Sequence, residues 1–261
     1  MINLKTLFAL PLLITLWLPI NAYAIEEGSM SVAINTAGMQ RMLSQRIVKA
    51  YLFLGMGVRS DKARSQLQES VKLFKKNHAY LKRTVSDPEV QDMLAFLGNM
   101  LDLYVDAVSQ PYKKENGAEA LDLSETILEG SHAIVKKLES LSNFKKDKIV
   151  NISGAQRMLS QRIAKYYIAY QAGFQDENTV NQLKSAVKAF EDSHKILAQS
   201  KQNTPGISKM LSRVNMLWKL VRKFFLAVEK GGLPVSVMTT TDHILKSMDK
   251  VTLAYVDTRS R

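Results

Sequence analysis

The chain has 261 residues, no cysteine and a formal net charge of +12. Without cysteine it has neither disulfides nor thiolate chemistry, and its length allows a core large enough to fold without them. The positive charge favours anionic partners through long-range attraction.

The first 24 residues have the pattern of a secretory signal peptide. Lys5 gives a positive start, residues 7–20 are almost wholly apolar, and residues 22–24 read Ala-Tyr-Ala, a small-x-small cleavage site. A retained membrane anchor is the alternative, but this run is short of the ~20 residues that span a bilayer. We expect an exported, periplasmic protein, for which nucleic acid is not an expected partner.

The rest of the chain has the three- and four-residue hydrophobic period of helices, and no run alternates as strands do. Prolines stand at the breaks between the periodic segments. The pattern predicts an all-α fold with helices near residues 29–58, 61–85, 88–110, 117–142, 147–173, 177–200, 206–230 and 234–258.

The first and fifth predicted helices carry nearly the same sequence. Residues 35–51 read NTAGMQRMLSQRIVKAY and residues 151–167 read NISGAQRMLSQRIAKYY, with eight consecutive identities. The similarity continues at a spacing of 116, for example from His78 to His194, and later at 117. Self-similarity over this length indicates two copies of one domain.

We therefore predict a first repeat at residues 25–144 and a second repeat at residues 145–261, each an up-down-up-down four-helix bundle. The short polar junction near residues 145–148 favours repeats that pack side by side as an internal pseudo-dimer. An end-to-end arrangement stays open. In that case each repeat would need a partner from another chain, as in a homodimer.

The first helix is apolar on two opposite sides, which predicts burial on both. One side suits its own bundle and the other suits the matching helix of the second repeat. This second side carries Arg41 beside Gly38, and the second repeat has Arg157 beside Gly154. Glycine inside a helix costs about 1 kcal/mol against alanine, so its presence in both copies favours close helix approach or space for a ligand.

Two arginines that meet at such an interface repel each other, and burying unpaired charge is unfavourable. A small anion between them relieves both costs through paired, charge-assisted hydrogen bonds. Serine and glutamine side chains nearby can add donors. The candidate ligand-binding residues are Arg41, Arg157, Gly38, Gly154, Ser44, Ser160, Gln45 and Gln161.

Structural roles remain as alternatives. Arg41 and Arg157 could pair with acids such as Glu26 or Asp147, and Arg46 and Arg162 are interpreted as rim or inter-helix ion pairs. The histidine and acid spacings predict no metal site, and no motif indicates a cofactor or an enzyme.

The two Gly-x-x-Arg-Met-Leu-Ser-Gln-Arg segments resemble the opening helix of the sensor domain of type IV pilus methyl-accepting chemotaxis transducers. The same domain type forms the periplasmic part of nitrate/nitrite sensor histidine kinases, which are homodimers. There the segment is called the P-box, and its arginine binds nitrate at the subunit interface. By motif match this role falls on Arg41 and Arg157, with Gly38 and Gly154 beside them. The strong resemblance covers about 17 residues per repeat.

Two departures from that family matter. Its members usually have transmembrane helices and a cytoplasmic signalling module, and both copies here lie in one polypeptide. The resemblance implies a sensory protein that recognises a small anion, with nitrate or nitrite the first candidate, and that signals through a separate membrane receptor or histidine kinase. The alternative is a helical interaction or scaffold module of the cell envelope without a small-molecule ligand.

Overall fold

The computed structural model describes residues 27–142 and 147–257, so the predicted signal peptide and residues 145 and 146 of the predicted repeat junction lie outside the described residues. Within these two ranges the chain forms α-helices, one short 3-10 helix and no strand, and the predicted all-α fold is confirmed. The helices are α1 (Glu27–Gly55), α2 (Ser60–Thr84), α3 (Pro88–Ser109), α4 (Lys114–Leu141), α5 (Asp147–Gln171), α6 (Glu177–Ala198), α7 (Pro205–Leu226) and α8 (Pro234–Asp257).

Local chemistry explains several helix starts. Asp87, Asp176 and Thr204 each accept a hydrogen bond from a backbone N–H of the first turn that follows, at 3.0, 2.8 and 3.2 Å. These bonds satisfy backbone donors that have no partner inside the helix. Helices α3 and α7 also begin with proline, whose missing N–H costs nothing there.

Three predicted bounds differ from the structure by three residues or more, and one of them is the end of α1, which lies at Gly55 rather than near residue 58. Helix α4 begins at Lys114, so Gly117, the predicted start of the helix, lies inside its first turn. Helix α7 ends at Leu226, and the predicted remainder forms the 3-10 helix Val228–Lys230. Gly231 follows with a φ of 72°, a left-handed conformation that glycine adopts without strain.

Helices α1 and α5 occupy the centre and pack against each other more extensively than any other pair. Helix α1 also contacts α2 and α4, whereas α5 also contacts α6 and α8. This explains the two-sided apolar pattern, since Leu43, Ile47 and Val48 are fully buried on different sides of α1. The α1–α5 packing does not agree with an end-to-end arrangement of the repeats. We interpret it as two repeats packed side by side.

Two buried lysines connect the repeats reciprocally. Lys49 of α1 donates to Asp242 of α8 at 2.8 Å and to Gln161 of α5 at 2.7 Å. Lys165 of α5 pairs with Glu125 of α4. Glu125 and Asp242 occupy equivalent positions, 117 residues apart, so each lysine is neutralised by the acid of the opposite repeat.

None of the described helices is both long and apolar enough to cross a membrane.

Candidate functional site

The central α1–α5 interface brings Arg41 and Arg157 together. A Cβ atom built on Gly38 would lie 3.3 Å from Arg41 Nη2 and 3.6 Å from Arg157 Nη2. A Cβ atom on Gly154 would lie 3.3 Å from Arg157 Nη2 and 3.7 Å from Arg41 Nη2. Both guanidinium groups therefore lie against both glycines, and any larger residue at either position would crowd them.

Each arginine is held by an asparagine of the opposite repeat. Arg41 Nη2 donates to Asn151 Oδ1 at 2.6 Å, and Arg157 Nη2 donates to Asn35 Oδ1 at 2.7 Å. Asn35 and Asn151 are repeat equivalents, 116 residues apart. The two bonds form a reciprocal pair across the interface, so a movement of one repeat must change the contacts of both arginines.

The remaining partners of the two arginines differ. Arg157 Nη1 donates to Asp249 Oδ1 at 2.8 Å. In the first repeat the equivalent position holds His132, whose Nδ1 lies 3.3 Å from Arg41 Nη1. Burial and the charge of Arg41 lower the pKa of His132, which favours the neutral ring that can accept this bond.

Among the described residues, one carboxylate is in direct contact with the two arginines, so their charges are only partly neutralised. Arg157 has the carboxylate of Asp249, whereas the hydrogen-bond partners of Arg41 are both neutral. Glu139 reaches Arg41 only through Asn151, whose Nδ2 donates to Glu139 Oε2 at 3.0 Å. Glu26 and the side chain of Asp147, the acids suggested as alternative partners, lie outside the described residues.

Burial makes this imbalance unfavourable. Arg41 is 2% exposed and Arg157 is 1% exposed. Burial, followed by the repulsion of Arg157, lowers the pKa of Arg41 to about 10, and burial also lowers the pKa of Arg157. Both guanidinium groups stay charged at neutral pH, and the buried Nε of each has no hydrogen-bond partner. The site therefore has two free donors and an excess of positive charge.

The serines and glutamines of the motif stabilise the surrounding helices. Ser44 and Ser160 donate to the backbone carbonyls of Arg41 and Arg157, at 3.0 and 2.8 Å. The side-chain amides of the glutamines donate to these serine hydroxyls and to carbonyls of α4 or α8: Gln45 to Ser44 and Ser124, and Gln161 to Ser160 and Thr241. Their donors are thus used within the protein in this conformation, next to the arginines.

A groove of 420 Å³ between α1, α2 and α8 reaches this site. Met39 and Asp249 both line it and both contact Arg157. The side chain of Asp249 is 41% exposed, in contrast to the arginine that it binds. Displacement of this one carboxylate would open a path from solvent to the Arg157 guanidinium group.

Several residues of the site were not recognised from the sequence. Asn35 and Asn151 open the duplicated segment, and their shared position was the available signal. Lys49 and Lys165, in the same two segments, were not assigned a role, and both are fully buried. The rim interpretation suits Arg162, which pairs with Glu125 at 2.6 Å, and Arg46, which lines the groove.

No cluster of three or more histidine, cysteine, aspartate or glutamate side chains suited to a metal ion occurs in the part of the chain that the structure describes.

Comparison with protein families gives one match in two segments. The family described as type IV pili methyl-accepting chemotaxis transducer N-terminal domain matches residues 26–114 and 142–243. One segment lies towards each end of the chain, and together they cover most of it. Comparison with curated proteins and with solved structures gives no match.

Proposed function

The chain belongs to the family of type IV pili methyl-accepting chemotaxis transducer N-terminal domains, which are sensory domains, and from this premise we propose that it is a periplasmic receptor for a small planar oxyanion. Nitrate and nitrite are the first candidates. The anion binds between Arg41 and Arg157, and the complex signals through a separate membrane receptor or histidine kinase.

The observation that supports this proposal most directly is the convergence of two buried arginines with one carboxylate in direct contact among the described residues. A guanidinium group binds a planar oxyanion through two parallel hydrogen bonds. The free Nε of each arginine, with an adjacent Nη, supplies one such pair. A monoanion between them removes the repulsion and satisfies donors that burial would otherwise leave unpaired.

Binding changes the relation between the two repeats. The anion draws both guanidinium groups towards one point, and each guanidinium is bonded to an asparagine of the opposite repeat. Rearrangement at the site therefore acts on α1 and α5 together. A separate receptor or kinase that contacts both repeats reads this shift as its signal.

Thermal unfolding of the purified protein tests the proposal. At constant ionic strength, nitrate or nitrite raises the melting temperature, because a ligand of the folded state at 100 times its Kd stabilises by about 2.7 kcal/mol. The Arg41→Lys/Arg157→Lys variant keeps both charges but loses the paired donors, so the anion response disappears. Arg213→Lys, at an exposed position of α7, is the control and keeps the response. The proposal fails if no small anion stabilises the wild type, or if the double variant responds equally.

The scaffold alternative has its own support. Arg157 has a direct carboxylate partner, and the equivalent residues Leu103 and Leu220 are exposed on the outer sides of α3 and α7. Exposed apolar side chains in both repeats suit a protein-binding face. The same titration decides between the two functions, because a scaffold gains no stability from any anion, with or without the arginines.

A further inference from the structure

A second groove, of 980 Å³, lies beside the C-terminal end of α1, between α2 and the connection from α3 to α4. Its volume is in the range of small-molecule sites. Apolar and aromatic side chains form much of its wall: Tyr51, Leu54, Leu67, Val71, Val108 and Tyr112. The rings of Tyr51 and Tyr112 pack edge to face with centroids 5.4 Å apart, which gives the wall a fixed aromatic corner.

The groove is also positively charged. Arg64, Lys72 and Lys75, all exposed on α2, belong to its lining, and no acidic residue does among those described. The combination of an apolar wall with cations on one side favours a ligand that is apolar over most of its length and anionic at one end.

The second repeat carries larger, aromatic side chains at some of the corresponding positions. Phe225 takes the position of Val108, and its ring centroid lies 5.8 Å from that of Tyr167, the equivalent of Tyr51. Trp218 takes the position of Leu101 and packs between Phe190 and Phe225, with centroids 4.4 and 5.6 Å away. The side chains at these positions are therefore larger and more aromatic in the second repeat than in the first.

The charge at one of these lining positions is reversed in the second repeat. Glu191 takes the position of Lys75, accepts a hydrogen bond from Trp218 Nε1 at 3.0 Å and pairs with Arg222. These contacts join α6 to α7. The first repeat has Lys75 and Val105 at the two positions, and this pair cannot form such a bridge.

We propose that the groove of the first repeat binds a free amphipathic anion, with an apolar chain or ring system against Leu54 and Tyr112 and a carboxylate, sulfonate or phosphate beside Lys72 and Lys75. This site is separate from the arginine pair and goes beyond the proposed function.

Calorimetric titration with decanoate, below its aggregation concentration, tests the site in the full protein. We expect one binding site per chain, and no binding of decyltrimethylammonium, which has the same chain and the opposite charge. Val108→Phe introduces the residue that the second repeat has at this position. Its larger ring takes up space at the apolar wall, so decanoate binding weakens by at least ~10-fold. Decanoate binding that Val108→Phe leaves unchanged, or equal binding of both amphiphiles, overturns the proposal.

If Val108→Phe unfolds the protein, charge-reversal variants of exposed lysines provide a second test. Lys72→Glu/Lys75→Glu weakens decanoate binding, whereas Lys184→Glu/Lys188→Glu, with the same change of net charge on exposed positions of α6, does not. Equal loss in both pairs overturns the proposal. Arg41→Lys/Arg157→Lys keeps decanoate binding, which separates this site from the anion site. Binding to vesicles with anionic lipid but not to free decanoate would indicate a membrane surface instead, and would also overturn it.

Discussion

Asp249 lies 2.8 Å from Arg157 Nη1 and is the carboxylate in direct contact with the arginine pair among the described residues. The side chain of Asp249 is partly exposed, so its carboxylate can move away from Arg157 into solvent. An anion that enters from the α1–α2–α8 groove therefore meets an internal competitor for the same guanidinium group.

Replacing Asp249 by asparagine removes that competition. Asp249→Asn is expected to lower the apparent Kd for nitrate by about 10-fold, equivalent to 1.4 kcal/mol, and to lower the melting temperature without ligand. Nitrate titrations followed by thermal unfolding measure both effects. Asp106→Asn, at an exposed position of α3, is the control for lost negative charge. An unchanged or weaker nitrate response in Asp249→Asn would show that this carboxylate does not compete.

The glycines beside the arginines provide a second prediction. Gly38→Ala and Gly154→Ala each place a methyl group 3.3 Å from the Nη2 of the arginine in the same repeat, so the guanidinium must move. The nitrate response falls sharply, although the helix gains up to about 1 kcal/mol from alanine. Gly130→Ala on α4 is the matched control, because its new methyl lies equally close to a side chain, 3.2 Å from Leu97 Cδ1. A full nitrate response in both variants would contradict close packing at the arginines.

Removing the acid of a buried ion pair is expected to lower the free energy of unfolding more than removing the acid of an exposed pair. Glu125→Ala leaves Lys165 fully buried without its carboxylate, which costs about 3 kcal/mol of unfolding free energy. Asp192→Ala breaks an exposed pair with Lys188, and its unfolding free energy stays close to that of the wild type. Urea unfolding of both variants gives the comparison. Similar small losses would mean that Lys165 finds another partner.

The same lysines predict a rise of stability with pH. Burial lowers the pKa of Lys49 and of Lys165 to about 8, below the ~10.4 of an unfolded chain. Between these values the unfolded chain binds more protons than the folded chain, so the free energy of unfolding increases with pH. From pH 7.5 to 9 the expected contribution of both lysines is on the order of 2 kcal/mol.

Comparison of pH profiles isolates this contribution. Urea unfolding of the wild type and of Lys49→Met/Lys165→Met at pH 7.5, 8.25 and 9 is expected to show the rise only in the wild type. Buried tyrosines such as Tyr104, whose pKa burial raises, stay protonated in the folded state over this range. Lys184→Met, at an exposed lysine, keeps the wild-type profile. Parallel profiles for wild type and double variant would contradict buried, charged lysines.

The helices, the duplication and the convergence of Arg41 with Arg157 follow from local features of the sequence. Hydrophobic period sets the helices, and a glycine beside an arginine in both copies indicates close approach at one interface. These signals lie within a few residues of each other, so they can be recognised without knowing how distant segments pack.

The partners of the arginines depend on packing between distant helices. Asp249 and His132 are 92 and 91 residues from the arginines that they contact, and each has an ordinary helical setting in the sequence. Lys49 resembles an exposed lysine until α8 brings Asp242 beside it. Which acid neutralises which base is therefore a property of the tertiary structure.

The substitution of His132 for Asp249 at one position of two copies has a consequence for evolution. A dimer of identical chains carries every mutation on both sides of its symmetry axis, so its two halves cannot specialise. In this protein the halves are encoded separately. In one copy the arginine has a carboxylate partner and in the other it has a neutral histidine, so the two halves of the chain are chemically distinguishable.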